Sequence, residues 1–563
     1  MDMGRRLKNC DLIFSLGIII IFVALVFRCF YGIGLTFSDE FSQPAVVKRF
    51  LQGDRVLIDD WQPATTLLGF FMSGVLCFLP ISGISLIGMR LAYVLFQVII
   101  TFVILLALGW RDTKNRIIAL AYLISTPYGI MSICYNTVAI AGFVVFLALF
   151  LVTNSNDHPL RSILAGVALS YSVVSIPHVA IIFIIYVIAV FLMLITHKAN
   201  KLFSMRRLIW LCVGILLMLL PFCISLVLNG SIQEYTVNIH YIFSDPEHSI
   251  GIWTKLVASV YQVARVYWRA WLPLVLIDFV AIIIMARRNN RTVLYIASCL
   301  AIVYATIRFA FIYGSISINL MIVPMFFWGL QAIVLLLIWK ESLNDYYIEI
   351  IWLVAGYLFA TCDYLATNTE VLSMSAMFIV SAMASISLNL RIIHKLFLNE
   401  KFPIIASYGT IIVFLISLFI LRMTFIWGDD KVSSLNTRIE SGFARGIYTT
   451  AENAADYNRI QEAIENAEFT EKDLALFIPM NPLYNLMSDA EISTPYVIRF
   501  KADIDEISSY YNTHEYKIPT KVVLFKNKEE KEVEEDVMTY FTSANYKCKI
   551  SDEDYVVLEA GGR

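Results

Sequence analysis

The feature that most limits what this chain can become is its succession of long uncharged stretches. Apolar runs long enough to cross the hydrocarbon core of a bilayer, about 30 Å, or pairs of runs joined by a tight polar turn, fall near 11–31, 86–109, 117–133, 137–153, 161–175, 178–196, 208–228, 270–286, 293–313, 316–339, 347–365, 371–390 and 404–424. A water-soluble domain cannot bury that many continuous apolar segments, so the expected fold class is an all-α polytopic membrane domain of about thirteen transmembrane helices. Composition agrees: 59% of residues are hydrophobic and 16% charged. The N-terminal stretch "MDMGRRLKNCDLIFSLGIIIIFVALVF" begins with basic residues like a signal peptide, but its apolar run continues to about Phe30 without a small-residue cleavage site. It reads as a retained first helix. The nine cysteines lie mostly in apolar runs, only Cys548 is in the polar tail, and no C-x-x-C spacing is present, so neither a disulfide framework nor a cysteine metal motif is expected.

The formal net charge of −2 conceals an asymmetry. From Gly428 onward there are 15 Lys/Arg against 26 Asp/Glu, which leaves 28 against 19 for the portion before it. Residues 1–427 are therefore expected to form the membrane domain and 428–563 a separate, solvated one. The tail alternates a helix-like run, "TTAENAADYNRIQEAIENA", with short apolar strands, "DLALFIPM", "TKVVLFK" and "DYVVLEA", the pattern of a small α/β domain. It contains no Gly-rich phosphate loop, metal spacing or nucleophile elbow. Its acidity argues against binding nucleic acid or an anionic polymer.

Topology turns on "TTLLGFFMSGVLCFLP", 65–80, which is uncharged but closed by Pro80 after about 24 Å of helix. If it lies in the interface, eighteen Lys/Arg fall in the loops on the N-terminal side of the membrane and only Lys48, Arg49, Arg55, Lys255, Arg265 and Arg269 on the other, tail domain apart. If it spans, nearly all the downstream positive charge is placed outside, against the positive-inside rule. The expected arrangement is a cytoplasmic N-terminus, with the first loop (32–85) and the C-terminal domain both outside. In that loop Val46, Val47, Phe50 and Leu51 share one helical face after Pro44, Lys48, Arg49 and Gln52 share the other, and Gly53 stops the helix. This predicts an amphipathic helix at the water–lipid boundary, with Asp39, Glu40, Asp54, Asp59 and Asp60 held beside it.

The order "SDE", amphipathic helix, "QGD", "DDWQP", short uncharged helix and "GMR" opening the second span resembles the GT-C superfamily of integral-membrane glycosyltransferases, in particular the protein O-mannosyltransferases and the lipid A aminoarabinose transferases. The likeness in motif covers about residues 35–95, and the likeness in topology covers the whole chain. It implies transfer of a sugar from a polyprenyl-phosphate carrier to an acceptor on the outer face, with inversion. The acceptor would be a lipid, a polysaccharide, a teichoic-acid-like polymer or a protein; besides donor, acceptor and membrane lipid no partner is implied, and nucleic acid is not among them. Such chemistry needs a base on the acceptor hydroxyl and a cation near the leaving phosphate.

On that resemblance Asp39 matches the family's base, with Glu40 as its orienting or metal-contacting partner; the plainer reading of Asp39 is a helix N-cap. Asp54 matches a Gly-Asp of the aminoarabinose enzymes, or is a turn residue. Where those enzymes carry Glu-Lys-Pro this chain has Trp61-Gln62-Pro63, so their phosphate-binding lysine is missing. Asp59 and Asp60 are either ligands for a divalent cation, Mg²⁺ or Mn²⁺, or a solvated turn. Arg90 matches the family's arginine at the start of the second span. Arg265 and Arg269, four apart among Tyr261, Tyr267, Trp268 and Trp271, read as a phosphate clamp or as a headgroup anchor. Arg308 faces a cavity or snorkels to the interface. His240 and His248 are metal ligands or plain loop residues. Asp278, mid-span, is expected to pair with a buried cation, and Asp363 to sit near the surface. The competing functions are a lipid-linked sugar flippase, a polymer ligase using a diphosphate-linked donor, and a scaffold; clustering of the acids in one outer loop rather than at the midplane disfavours the first. A bacterial cytoplasmic membrane is the expected location.

Overall fold

The computed structural model describes residues 2–561 except 38, 62, 77–84, 152–157, 198–200, 244–250, 286–290, 367–370, 500–502 and 527–530. The membrane portion consists of α1 (Asp2–Phe30), α2 (Asp39–Leu51), α3 (Pro63–Leu76), α4 (Leu86–Leu108), α5 (Thr113–Ile124), α6 (Tyr135–Leu151), α7 (Pro159–Ser175), α8 (Ala180–Ile195) and α9 (Met205–Asn229). It continues with α10 (Ile232–Phe243), α11 (Ile252–Met285), α12 (Arg291–Ile312), α13 (Ser317–Leu320), α14 (Val323–Ile338), α15 (Tyr347–Ala366), α16 (Val371–Met377), α17 (Ile379–Leu396) and α18 (Lys401–Thr424).

Each of the thirteen predicted apolar runs contains a helix, yet the count of thirteen spans does not follow from their lengths. Among the described residues nine helical stretches are long and apolar enough to cross a membrane, and Leu16–Phe30, Tyr135–Leu151 and Pro159–Ser175 are shorter apolar ones. Helix α5 has 12 residues, about 18 Å of rise, too little to cross alone. The helices approach closely where small residues face each other. Gly166 of α7 and Gly214 of α9 lie against each other's backbones, leaving no room for a Cβ. A Cβ at Gly356 of α15 would lie 2.7 Å from the Ser381 amide of α17. That packing makes α17 the buried centre of the bundle, with Ser381, Ser385 and Asn389 all at 0% exposure.

The C-terminal domain is built from β1 (Thr437–Arg438), β2 (Tyr448–Thr449), α19 (Ala451–Ala467), β3 (Leu474–Ile478), α20 (Pro482–Met487), β4 (Glu491–Ile492), α21 (Ile504–Thr513), β5 (Lys521–Phe525), α22 (Lys531–Ser543), β6 (Tyr546–Ser551) and β7 (Tyr555–Ala560). Its sheet runs in the order β4-β3-β5-β7-β6, parallel where β3 meets β4 and β5, and antiparallel where β7 meets β5 and β6. Side-chain alternation along the strands divides the core in two. Ala475, Phe477, Val523 and Val557 pack under α19, and Leu476, Ile478, Val522 and Val556 under α21 and α22. The helix and the three strands expected from sequence are α19, β3, β5 and β7.

The first loop departs most from expectation. Helix α2 starts at Asp39, with Pro44 inside it rather than at its start. It does not lie on the lipid boundary: Ala45 and Val46 pack on Ile492 and Val497 of the C-terminal domain, while Val46 meets Gly69 of α3 on the other side. Gly53 ends it at φ +101°, as expected. Helix α3 rests on the bundle through Leu68 and Phe71 against Val138, Val174 and Met218; positions 77–80 of the predicted 65–80 segment are outside the described residues. Leu35, Phe41 and Leu86 enter the α19 side of the soluble core and Trp61 enters the α21 side.

Candidate functional site

Four of the five first-loop acids are taken up in ion pairs. Glu40 accepts two hydrogen bonds from Arg90, at 2.7 and 2.8 Å, and both side chains are buried. Arg90 also donates to the Ile33 carbonyl at 2.9 Å. The donor-phosphate role expected of Arg90 and the metal-contacting role expected of Glu40 therefore do not fit: each group's charge is met by the other. Asp54 accepts from Arg49 at 2.5 Å and from Lys517 of the C-terminal domain. Asp60 lies 3.5 Å from the Arg49 guanidinium. Burial alone would depress the pKa of Arg49, but Asp54 and Asp60 beside it hold it above its ordinary value. Asp59 accepts from the Arg55 amide at 2.6 Å and from the hydroxyl of Tyr516, and Arg55 reaches Glu234 of α10 at 2.9 Å. Asp59 and Asp60 are thus not a turn open to water, nor do they form a ligand set; among the described residues no group of three or more His, Cys, Asp or Glu converges as a metal site. Their oxygens are taken up by Arg49, Arg55 and the Tyr516 hydroxyl, and they do not fit the expected Mg²⁺ or Mn²⁺.

Asp39 is the exception. It opens α2 half-buried, has no cation at salt-bridge distance among the described residues, and has the Trp427 side chain near enough to influence it. Burial raises its pKa above the ordinary carboxylate value, opposed in part by the polar indole of Trp427. Trp427 lines a cavity of about 540 Å³ at the seam between the bundle and the C-terminal domain, together with Tyr128, Ile318, Phe425, Asp429, Asp430, Glu452 and Asn453. Tyr128 sits at φ +58°, a left-handed conformation that a tyrosine adopts only under constraint. Its amide donates to Asn319 at 3.0 Å, and its ring meets Trp427 edge-on at 5.6 Å between centroids. Asp429 is spent on structure, accepting from the Leu35 amide at 2.7 Å, Thr449 at 2.6 Å and Asn453 at 3.1 Å.

The other expected residues lie elsewhere. The predicted long loop before the eighth span is α10 plus the N-terminal half of the 34-residue α11. On α11, Arg265 is exposed and Arg269 half-buried, donating to the Tyr313 hydroxyl at 2.5 Å and lying 4.7 Å over the Trp268 ring. Arg308, half-buried, is about one turn from the end of α12. None of the three is joined to a carboxylate among the described residues. Asp278 is held not by a buried cation but by Gln331, at 2.6 Å. Asp363 is not near the surface: it is 0% exposed, and neither carboxylate oxygen has a hydrogen-bond partner among the described residues. Gln62 and His248, and the side chain of His240, are outside the described residues.

Sequence reasoning missed Tyr128 and Trp427. In "TFIWGDD" the tryptophan reads as one more interfacial aromatic closing the last span, and only its position beside Asp39 distinguishes it.

Comparison with solved structures finds the crystal structure of ArnT from Cupriavidus metallidurans bound to undecaprenyl phosphate, at 14% identity and a TM-score of 0.45 over 98% of this chain and 99% of that one. It also finds the archaeal oligosaccharyltransferase AglB from Archaeoglobus fulgidus in complex with an inhibitory peptide and a dolichol-phosphate, at 12% identity and a TM-score of 0.46 over 90% of this chain and 69% of that one. Both belong to the superfamily that the first-loop motifs resemble. At these identities and scores neither likeness carries a chemistry over to this chain. No family model and no curated protein matches it.

Proposed function

We propose that this protein is a multi-pass membrane glycosyltransferase that moves a hexosyl or pentosyl group from a polyprenyl-phosphate carrier to an acceptor hydroxyl on the outer face of the membrane. Asp39 is the general base. The observation that carries this reading is the contrast within the first loop: Glu40, Asp54, Asp59 and Asp60 are each neutralised by a neighbouring cation, whereas Asp39 has no cation partner among the described residues and its neighbour Trp427 lines a cavity. A carboxylate so placed takes the proton from the acceptor hydroxyl as its oxygen attacks the anomeric carbon. The bond from that carbon to the phosphate oxygen breaks on the opposite face, and the configuration inverts. The leaving phosphate needs cations, and Arg265, Arg269 and Arg308, which have no carboxylate partners among the described residues, are the candidates.

The test is sugar transfer in proteoliposomes from a panel of radiolabelled polyprenyl-phosphate sugars to a membrane-extract acceptor. Asp39→Asn is expected to lower transfer about 10²- to 10⁴-fold, the usual contribution of a general base, with the melting temperature unchanged. Transfer retained in Asp39→Asn would remove the base assignment. Label that crosses the bilayer without transfer in the wild type would replace the enzyme reading with a flippase.

A further inference from the structure

The cavity at the seam carries a chemical signature of its own. Its volume of about 540 Å³ lies within the range of about 300–1,000 Å³ usual for ligand sites. Three aromatic rings line it, Tyr128, Phe425 and Trp427. Of its three carboxylates, Asp429 is held by three protein donors, whereas Asp430 and Glu452 are exposed and take part in no ion pair among the described residues. None of its described lining residues is Lys, Arg or His. Lys431, next in sequence, is not in the lining, though its ammonium lies 5.8 Å from the centre of the ring of Phe425, which is. Trp427 lines this space and also influences the Asp39 carboxylate, so the cavity is one residue removed from the proposed base.

Such a lining disfavours anions, since a phosphate or carboxylate entering it would face two exposed carboxylates, Asp430 and Glu452, with no cation among the described lining residues and only Lys431 nearby. It favours a ligand with flat apolar faces to pack on aromatic rings and hydroxyls to donate to carboxylates. The arginines assigned to the donor phosphate show the converse chemistry, cations without carboxylates. We infer that this cavity is the acceptor subsite and that the acceptor offers it a neutral glycan, its hydroxyls donating to Asp430 and Glu452, rather than a phosphorylated or otherwise anionic group. This rests on the glycosyltransferase reading for the word acceptor, though not for the cavity's preference for a neutral glycan.

The test is isothermal titration of the full-length protein in nanodiscs with neutral tetrasaccharides (cellotetraose, mannotetraose and chitotetraose) and with the anionic tetragalacturonate. At least one neutral glycan is expected to bind saturably, tetragalacturonate at least tenfold more weakly, and the double variant Asp430→Asn/Glu452→Gln is expected to lose at least tenfold in affinity for the neutral ligand. Both substituted side chains are exposed and near-isosteric with the originals, and an unchanged melting temperature confirms that the variant is folded. Equal or tighter binding of tetragalacturonate, neutral binding indifferent to the double variant, or no neutral binding at all would each overturn the inference. Transfer assays on the same preparations separate it from the function it rests on. Transfer to anionic acceptors alone keeps the glycosyltransferase and overturns the neutral acceptor. Neutral binding lost in the double variant, in a protein that transfers no sugar, keeps the glycan-binding cavity and overturns the glycosyltransferase.

Discussion

The two adjacent acids that open α2 do different things because their neighbours differ. Glu40 is buried against Arg90 in a two-bond pair, and removing one partner of such a pair strands the other's charge in a low dielectric. Glu40→Ala is therefore expected to destabilise the protein by about 3–5 kcal/mol, measured by thermal unfolding in detergent, whereas the double change Glu40→Leu/Arg90→Met restores most of the loss. Asp39→Asn breaks no ion pair and is expected to shift stability by less than about 1 kcal/mol while removing transfer. The same environment sets a pH dependence. Burial raises the pKa of Asp39, and a base must be ionised to accept a proton. Transfer should therefore rise with pH, and the midpoint of its acid limb in kcat/KM should lie above about 3.9, the ordinary aspartate value. An acid limb at or below that value would count against Asp39 as the base. The sequence marks the Asp-Glu pair as a candidate; it does not say which member is neutralised, because Arg90 lies 50 positions from Glu40 and Trp427 further still.

Among the elements, the stretch from α2 to α3 shows most clearly where a sequence pattern runs out. The apolar face of α2 is legible, and so is Gly53 as its stop. What the face rests on is not, since an amphipathic helix looks the same whether its apolar side meets lipid or protein. Here it meets the C-terminal domain, and its polar side does too: Lys48 donates to the Asn485 carbonyl at 2.7 Å, and Asp54 pairs with Lys517, 463 positions away. Trp61 completes the joint. It is fully buried, edge-on to Tyr510 at 5.0 Å, and its indole donates to Asn238 of α10 at 3.1 Å. Trp61→Ala is expected to cost about 3–5 kcal/mol, and hydrogen exchange should then quicken together in residues 52–61 and α21. His514 packs at the same joint, 6.0 Å from Trp61 between ring centres. Burial lowers its pKa, opposed by its bond with the Tyr510 carbonyl and by Asp59, with Arg55 acting in the same sense as burial. A group whose folded pKa is depressed contributes stability above its unfolded value, about 6.5 for histidine, and loses it as the pH falls towards the folded value. The melting temperature should therefore fall on acidification from pH 7.5 to 5.5, and His514→Gln should flatten that slope.

For the whole molecule, the proposed orientation puts the C-terminal domain, the first loop and the Asp39 cavity on one face of the membrane, opposite the loops richest in Lys and Arg. Cys548 is exposed on that domain, Cys29, Cys134, Cys299 and Cys362 are buried in the bundle, and Cys212 (half-buried) and Cys223 (exposed) lie on α9, a membrane-spanning helix out of reach of an impermeant reagent. A membrane-impermeant maleimide added to intact cells is expected to label Cys548, and Cys548→Ser to abolish most of that labelling; labelling only after permeabilisation would reverse the orientation. The sequence by itself determined the helical membrane bundle, because apolar runs of that length have no other stable environment. It also determined the main helix and strands of the small α/β domain, because alternation and helical periodicity are local signals. Only the tertiary structure decided which acids are free, because charge neutralisation depends on partners hundreds of positions away. It also decided that the first loop is held between the bundle and the C-terminal domain, where both faces of α2 are largely buried and Asp39, which has no cation partner among the described residues, stands near Trp427 at the rim of a cavity that neither part forms alone.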